Sequence, residues 1–401
     1  MTTAPTIPPK PRRRWLQFSL RTMLALTVVL GCGFGWLGTK VKAAKEQDGA
    51  LQALSGIGAV RQDYPSEVPP KWRALIPEDL VPRWARDNLF DDVTGLTFTL
   101  KDGFHAWGPI GQNPGCVDGS LVPLARLPDL RFVGLAGTHI TDNGLRHLTG
   151  LRSLECLNLG LTSVSDAGLM HLKPLVNLER LILANTQVTD AGLVQLKDRT
   201  RLQVLVLGND LIVPPHYRHR GQIQQERLTR RKKWFPWTTR ITDAGLLHIR
   251  ALTRLRQLDL CSTGVTDAGL IHLNTLTMLK SLAISNTQVT DAGLVHLREF
   301  AELEHLDVSN TLVTDAGLED LRTLTKLQEL DLAGTKVTDG GLVHLADLMS
   351  LRQLWLEDTS VSDDGVMRLR KLLPNLEVLD PRGITWKPLA MFPDTGEARL
   401  P

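Results

Sequence analysis

Leucines and other apolar residues recur along most of the chain in two alternating spacings, and the alternation returns every 24 residues. The copy from Leu276 to Glu299 reads LTMLKSLAISNTQVTDAGLVHLRE. Its first part places Leu282 and Ile284 two residues apart, which predicts a short strand because successive strand side chains point to opposite faces. Its second part places Leu294 and Leu297 three apart, which predicts a turn and a short helix. Each copy therefore predicts one strand followed by one helix.

A glycine marks the same position in every copy. The gap between Gly192 and Gly245 is 53 residues, which is one period of 24 plus an insertion of 29. Because one such unit cannot bury its own apolar side, the copies are expected to stack into a single solenoid over residues 127–380. The marking glycines are Gly144, Gly168, Gly192, Gly245, Gly269, Gly293, Gly317, Gly341 and Gly365.

The repeated V-T-D-A-G-L-x-H-L resembles the short leucine-rich repeats of F-box-associated solenoids and of bacterial leucine-rich repeat proteins. The segment FSLRTMLALTVVLG, near the N-terminus, is similar to membrane-anchored bacterial members. The resemblance implies an α/β solenoid, a curved horseshoe with parallel strands on the concave face and short helices on the convex face. It also implies binding of another macromolecule. No F-box or kinase motif accompanies the repeats, so the resemblance implies neither ubiquitin-ligase nor kinase activity.

Within the repeat, the T-D-A-G-L element predicts scaffold rather than a site. Thr290 or Asp291 is expected to accept a hydrogen bond from the first amides of the helix. Gly293 is expected to mark close packing or an unusual backbone dihedral. A further threonine, such as Thr287, is expected to satisfy backbone groups where the strand turns away. These columns carry no predicted chemistry.

Residues 22–39 contain no charge, and 18 residues of helix span about 27 Å, close to the thickness of the hydrocarbon core of a bilayer. More basic residues precede this segment than follow it, which favours a cytoplasmic tail over residues 1–21. We expect a single-pass signal anchor in the inner membrane, with the repeats outside it in the bacterial envelope. Cleavage of a signal peptide after Ala43 is an open alternative. Residues 40–92 are expected to form a linker and N-terminal cap, 93–126 a capping strand and degenerate repeat, and 381–401 a tail.

The insertion at residues 213–241 combines basic and aromatic residues. Eight lysines and arginines stand against Glu226 alone. That composition suits an anionic lipid surface, whereas a solvated loop is the competing interpretation because long insertions cost little entropy. Nucleic acid is an improbable partner for a segment outside the membrane. The candidate contact residues are Arg230, Arg231, Lys232, Lys233, Trp234 and Trp237.

Two columns of side chains on the predicted concave face are the candidate site for a protein or an envelope polymer. The column between the strand leucines is more apolar in the first half of the array, and in the second half it becomes acidic, ending at Asp380. An apolar patch beside an acidic rim suits protein binding, with Trp355 as an exposed anchor. Chance variation at exposed strand positions is the alternative. The candidates are Phe132, Ile182, Val204, Val206, Asp259, His305, Asp307, Glu329, Asp331 and Trp355.

The sequence predicts no catalytic residue, cofactor or metal. The four cysteines are widely spaced, and the row of histidines near His296 follows the repeat, so its members are too far apart to share a metal ion. We therefore expect a non-enzymatic protein that binds another macromolecule through its concave face. A structural spacer without a specific ligand is the alternative, and a hydrolase of envelope polymers is a remote one.

Overall fold

The computed structural model describes residues 39, 42–43, 45–55, 59–61, 95–98, 113–208, 240–380, 382 and 384–386. The chain divides into two compact units, residues 1–49 with 69–92, and residues 50–68 with 93–401. In the described part of the first unit, residues 45–49 are helical. The second unit holds the repeats. No helix among the described residues is both long and apolar enough to cross a bilayer, and the predicted anchor at 22–39 lies outside them except for Thr39.

One sheet runs through the second unit, and its strands follow the order of the chain. Neighbouring strands are parallel, except for an antiparallel pair at each end, β1 with β2 and β14 with β15. The short strands β3 and β5 form a separate pair. The strands are β1 (Ala59–Arg61), β2 (Gly95–Phe98), β3 (Asn113–Val117), β4 (Phe132–Gly134), β5 (Thr138–His139), β6 (Cys156–Asn158), β7 (Arg180–Ile182), β8 (Val204–Val206), β9 (Gln257–Asp259), β10 (Ser281–Ala283), β11 (His305–Asp307), β12 (Glu329–Asp331), β13 (Gln353–Trp355), β14 (Glu377–Leu379) and β15 (Thr385–Trp386).

Short helical segments connect consecutive parallel strands. Most begin with one α-helical turn and continue as a 3-10 turn. The α-helices are Asp142–Leu145, Asp166–Leu169, Asp190–Leu193, Asp243–Ile249, Asp267–Leu270, Asp291–Leu294, Asp339–Leu342 and Asp363–Leu372. The 3-10 helices are Asp118–Arg126, Arg146–Leu148, Met170–Leu172, Val194–Leu196, Ile271–Leu273, Val295–Glu299, Ala316–Thr323 and Val343–Leu345.

The core lies between the sheet and the helical segments and is built almost entirely from leucine. In one repeat Leu279, Leu282, Ile284, Leu294 and Leu297 are all buried, and the equivalent residues of the other repeats join them in one continuous cluster. Burying one such side chain contributes about 1.5–3 kcal/mol relative to leaving it in water. The strand and helix predicted from the two spacings are confirmed, and each unit depends on its neighbours for burial.

The pairing register of the sheet is the same on both sides of the insertion. Leu205 in β8 pairs with Leu258 in β9, just as Leu181 pairs with Leu205 one step earlier. Thr189 forms a bridge with Arg240, where the described chain resumes. The repeats on either side of the insertion therefore pack as ordinary neighbours.

The last parallel strand, β14, is followed by a cap built around a buried carboxylate. Asp380 was predicted to continue the concave column after Trp355, and that prediction is wrong, because Leu379 is the partner of Trp355 in the sheet. Asp380 is fully buried at the core edge. It accepts hydrogen bonds from the backbone of Arg382 and Ile384, from the Arg382 side chain and from Nε1 of Trp386.

Candidate functional site

The outward side chains of the parallel strands form two columns, which we call the strand face. One column holds the first residue of each three-residue strand and the other holds the third. The sheet register places every candidate predicted on the concave face in one of these columns. In chain order the first column reads Phe132, Cys156, Arg180, Val204, Gln257, Ser281, His305, Glu329, Gln353 and Glu377. The second reads Gly134, Asn158, Ile182, Val206, Asp259, Ala283, Asp307, Asp331, Trp355 and Leu379.

Much of the strand face is less accessible than the sequence suggested. Phe132, Ile182 and Val204 are buried, and so are Asp307 and Asp331, at 4% and 2% exposure. The prediction of a freely exposed acidic rim is therefore wrong at those two aspartates. The physical reason is the strand spacing of about 4.8 Å, at which side chains of adjacent strands shield one another.

The buried aspartates have a local structural role. Oδ1 of Asp307 accepts a hydrogen bond from the backbone N–H of Ser309 at 3.0 Å, and Oδ1 of Asp331 accepts one from Ala333 at 3.0 Å. Asp259 does the same for Cys261 at 2.9 Å. In each case the carboxylate closes a turn two residues after itself, where the chain leaves the sheet. These carboxylates still place negative charge along the strand face.

The remaining candidates are half-buried and are spread along the strand face from β8 to β13. Val206, Asp259, His305, Glu329 and Trp355 all have intermediate exposure. Trp355 is thus half-buried rather than exposed, as had been predicted. Nδ1 of His305 lies 3.2 Å from Oε2 of Glu329 on the adjacent strand. Among the described candidates, these side chains are the ones that a ligand could reach.

A ladder of hydrogen bonds on the helical side joins each repeat to the next. Asp267 accepts two hydrogen bonds from Thr290 of the following repeat, from the backbone N–H to Oδ1 at 2.7 Å and from Oγ1 to Oδ2 at 2.6 Å. The same pair of bonds recurs along the array. The Asp–Thr or Asp–Ser pairs are 118–141, 142–165, 166–189, 190–242, 243–266, 267–290, 291–314, 315–338 and 339–362.

The ladder explains most of the T-D-A-G-L motif. Thr290 also accepts a hydrogen bond from the N–H of Ala292, so the prediction that threonine caps the helix is confirmed. Asp291 bonds to Thr314 of the following repeat instead of capping its own helix. A Cβ on Gly293 would collide with Oδ1 of Asp267, so this glycine serves close packing. Its φ is not positive, which rules out the alternative of an unusual dihedral.

The second threonine column also behaves as predicted. Oγ1 of Thr287 donates to the carbonyl of Ile284 at 2.6 Å, and equivalent bonds recur from Thr138 to Thr359. The role of the ladder aspartates was not foreseen. The sequence does show a separation of 23 residues between each aspartate and the threonine or serine that it binds, or 52 residues across the insertion, but a spacing does not reveal a hydrogen bond.

The basic insertion lies outside the described residues except for its last two, Arg240 and Ile241, and none of its six candidate residues, Arg230 to Trp237, is described. Within the described part of the chain, no cluster of histidine, cysteine or acidic side chains could hold a metal ion. On the strand face, burial raises the pKa of the Cys156 thiol to about 12, so this cysteine stays protonated at neutral pH.

Comparison with known proteins finds a family model and solved structures to which this chain is similar. A family model described as a leucine-rich repeat matches residues 275–297 and 323–346. The solved structure of internalin C2 from Listeria monocytogenes is 26% identical and covers 58% of this chain and 81% of that chain, with a TM-score of 0.40. A leucine-rich repeat protein from Leptospira interrogans is 19% identical and covers 64% and 62%, with a TM-score of 0.42. No curated protein sequence matches the chain.

These features define a repeat solenoid of parallel strands and short helical segments, a class whose extended surfaces serve binding. The chain contains leucine-rich repeats, two of which match the family model. Proteins of this kind are in general protein-binding scaffolds without enzymatic activity.

Proposed function

We propose that the strand face between residues 257 and 379 binds a basic segment of another protein. The observation that carries the proposal is the charge of this surface. Its two columns contain Asp259, Asp307, Glu329, Asp331 and Glu377, and neither column contains a lysine or arginine there.

The first half of the strand face differs in charge. The equivalent columns between residues 132 and 206 contain no acidic residue and one exposed arginine, Arg180. A basic ligand is therefore attracted to one half of the sheet only. Like charges across an interface cost several kcal/mol, so the two halves also discriminate between orientations of the ligand.

Trp355 supplies the apolar contact. It lies between Asp331 and Leu379 in the sheet, with intermediate exposure. An indole face attracts lysine and arginine side chains as well as apolar ones, which suits a ligand of mixed basic and apolar character. Tryptophan is also enriched among the residues that dominate binding energy.

The test begins with a photo-crosslinking amino acid at position 355 of the full chain and, as a matched control, at Ile182 in the same column of the first half. We expect position 355 to crosslink to one defined protein through a basic segment. Trp355→Ala should then weaken binding of that segment by about 30-fold, and Glu329→Gln should weaken it less at high salt than at low salt. Equal crosslinking at 182 and 355, or unchanged affinity in Trp355→Ala, would contradict the proposal.

A structural spacer is the second candidate, because the ladder and the leucine core join the described repeats whether or not a ligand binds. It predicts that no crosslink from position 355 is reduced by competition with unlabelled protein. The remote hydrolase alternative gains no support from the described residues.

We also propose that residues 22–39 anchor the chain in the inner membrane, with the repeats on the outer side. The support is the uncharged apolar segment and the excess of basic residues before it. Protease added to spheroplasts is expected to degrade the repeats. Repeats that survive external protease, and are lost only after the cells are lysed, would contradict this orientation.

A further inference from the structure

The helical side of the array carries a row of exposed apolar side chains that the core does not use. They occupy the residue after Gly-Leu in consecutive repeats. Met170, Leu247, Ile271 and Val295 are 51%, 40%, 49% and 43% exposed, and Val194 is half-exposed. We call these five residues the helical-face stripe. Because the repeats on either side of the insertion pack as neighbours, the stripe is continuous over five adjacent repeats.

The neighbouring column widens the apolar surface. The residue three positions before each stripe residue is an exposed alanine, from Ala167 through Ala292. The stripe ends at Glu319, which occupies the next equivalent position. Single exposed apolar residues are normal on protein surfaces, whereas a contiguous patch marks an interaction site.

A basic margin follows the stripe on its other side. Lys173, Lys197 and Arg250 lie three residues after Met170, Val194 and Leu247, and all three are exposed. Arg298 holds the same position after Val295, but it is paired with Asp320. An apolar row bordered by lysine and arginine is the arrangement of protein surfaces that lie in the headgroup region of anionic membranes.

We propose that the helical-face stripe rests on an anionic lipid surface, with its apolar side chains at the boundary between headgroups and acyl chains and its basic margin against the headgroups. The strand face then points away from the lipid and stays open to a protein ligand. A second copy of the chain is the competing occupant. It is disfavoured because pairing two stripes with their basic margins together would bring like charges into contact. This proposal is separate from the strand-face proposal and from the predicted anchor.

The experiment uses the full chain bound to vesicles and asks which face touches lipid. An environment-sensitive dye is attached at Ile271→Cys on the stripe or, as a matched control in the same region, at Ala283→Cys on the strand face. The vesicles are either phosphatidylglycerol mixed with phosphatidylcholine or phosphatidylcholine alone, and both carry nitroxide lipids that quench a dye in the headgroup region.

We expect several-fold stronger quenching at position 271 than at 283, and stronger quenching with phosphatidylglycerol than without it. The combined variant Lys173→Glu, Lys197→Glu, Arg250→Glu should remove that dependence on phosphatidylglycerol. A dye at Val343→Cys tests continuity, because Val343 is 63% exposed at the same repeat position but lies beyond Glu319. Its quenching should be weaker than at 271.

Three results would overturn the proposal: equal quenching at 271 and 283, equal quenching at 271 and 343, or energy transfer between dyes on two copies without lipid quenching. The last would assign the stripe to a second copy. Flotation of the vesicles tests the predicted anchor separately from the stripe. Without an anchor the chain would leave phosphatidylcholine vesicles during flotation, while quenching at 271 in phosphatidylglycerol vesicles would persist.

Discussion

Aspartates of the helical side and of the strand face have different structural roles in this molecule. On the helical side each aspartate binds the next repeat, as Asp267 binds Thr290 through two hydrogen bonds. On the strand face each aspartate binds its own turn, as Asp331 binds the N–H of Ala333. The first set couples neighbours, and the second completes a local turn.

The difference shows where the array tolerates variation. The ladder position holds aspartate in every described repeat from Asp118 to Asp339, even where the degenerate first repeat lacks the rest of the motif. The strand-face position also accepts Ile182, Ala283 or Trp355, because a local turn can close without a side chain. A surface used for recognition can therefore vary on the strand face, while the ladder must stay uniform.

The sharpest test of this comparison replaces one aspartate from each set. Asp267→Ala should lower the free energy of unfolding by about 3 kcal/mol, because two hydrogen bonds to a charged group are lost and the Thr290 amide is left unsatisfied. Asp331→Ala should cost less, about 1 kcal/mol, because its bond to the N–H of Ala333 lies within one repeat and does not join neighbours. Urea denaturation measures both. Equal losses would show that the two sets do not differ in the way proposed.

The next test concerns the repeat glycine, which packs closely against the ladder aspartate of the preceding repeat. Gly269→Ala should lower the free energy of unfolding by about 2 kcal/mol, because its Cβ would meet Oδ1 of Asp243. Gly150→Ala is the control and should change stability by less than about 0.5 kcal/mol, because nothing lies within 4 Å of its Cβ position. In an Asp243→Ala background the Gly269→Ala cost should shrink. A cost that is unchanged there would assign the clash to other neighbours.

The C-terminal cap extends the comparison to pH. Burial alone would raise the pKa of Asp380, but hydrogen bonds from Arg382, Ile384 and Trp386 outweigh it and hold the pKa below its ordinary value. A lowered folded-state pKa stabilises the fold above the unfolded pKa of about 4, and this stability is lost as pH falls through the folded value. Asp380→Asn should cost about 2 kcal/mol at neutral pH.

The stability difference between the wild type and Asp380→Asn, followed by thermal unfolding, should therefore shrink as the medium becomes strongly acidic. As a control, Asp331→Ala isolates the general effect of losing one carboxylate near the strand face. A difference from the wild type that is constant across pH would contradict a charged Asp380 in the cap.

The smallest expected effect is a gain in stability. Leu161 has φ of 55°, in the left-handed region that leucine disfavours, and the same turn position holds Asn185, Asn286 and Asn310. Leu161→Asn should raise the free energy of unfolding by about 1 kcal/mol, because asparagine tolerates this conformation. The reverse substitution, Asn310→Leu, should lower it. A loss of stability in Leu161→Asn would show that packing of the leucine outweighs backbone strain.

The fold could be predicted from the sequence because the same spacing of apolar residues recurs in every 24-residue repeat. Leu282 and Leu294 define the strand and the helix of one unit, and their burial follows from stacking. The candidate site was predicted less well. Sequence position placed Asp307 and Asp331 in one column of the strand face correctly, but it could not show that neighbouring strands bury them.

Sequence by itself thus determined the repeat, its period and which columns form the core, because these depend on local spacing and on hydrophobicity. Tertiary structure alone decided which carboxylate bonds to which repeat, that neighbouring strands bury Asp307 and Asp331, and that the helical-face stripe is continuous across the insertion. Those facts depend on atoms that stacking brings together. Ladder partners are 23 or 52 residues apart in the sequence, and that separation does not show that their side chains are in contact.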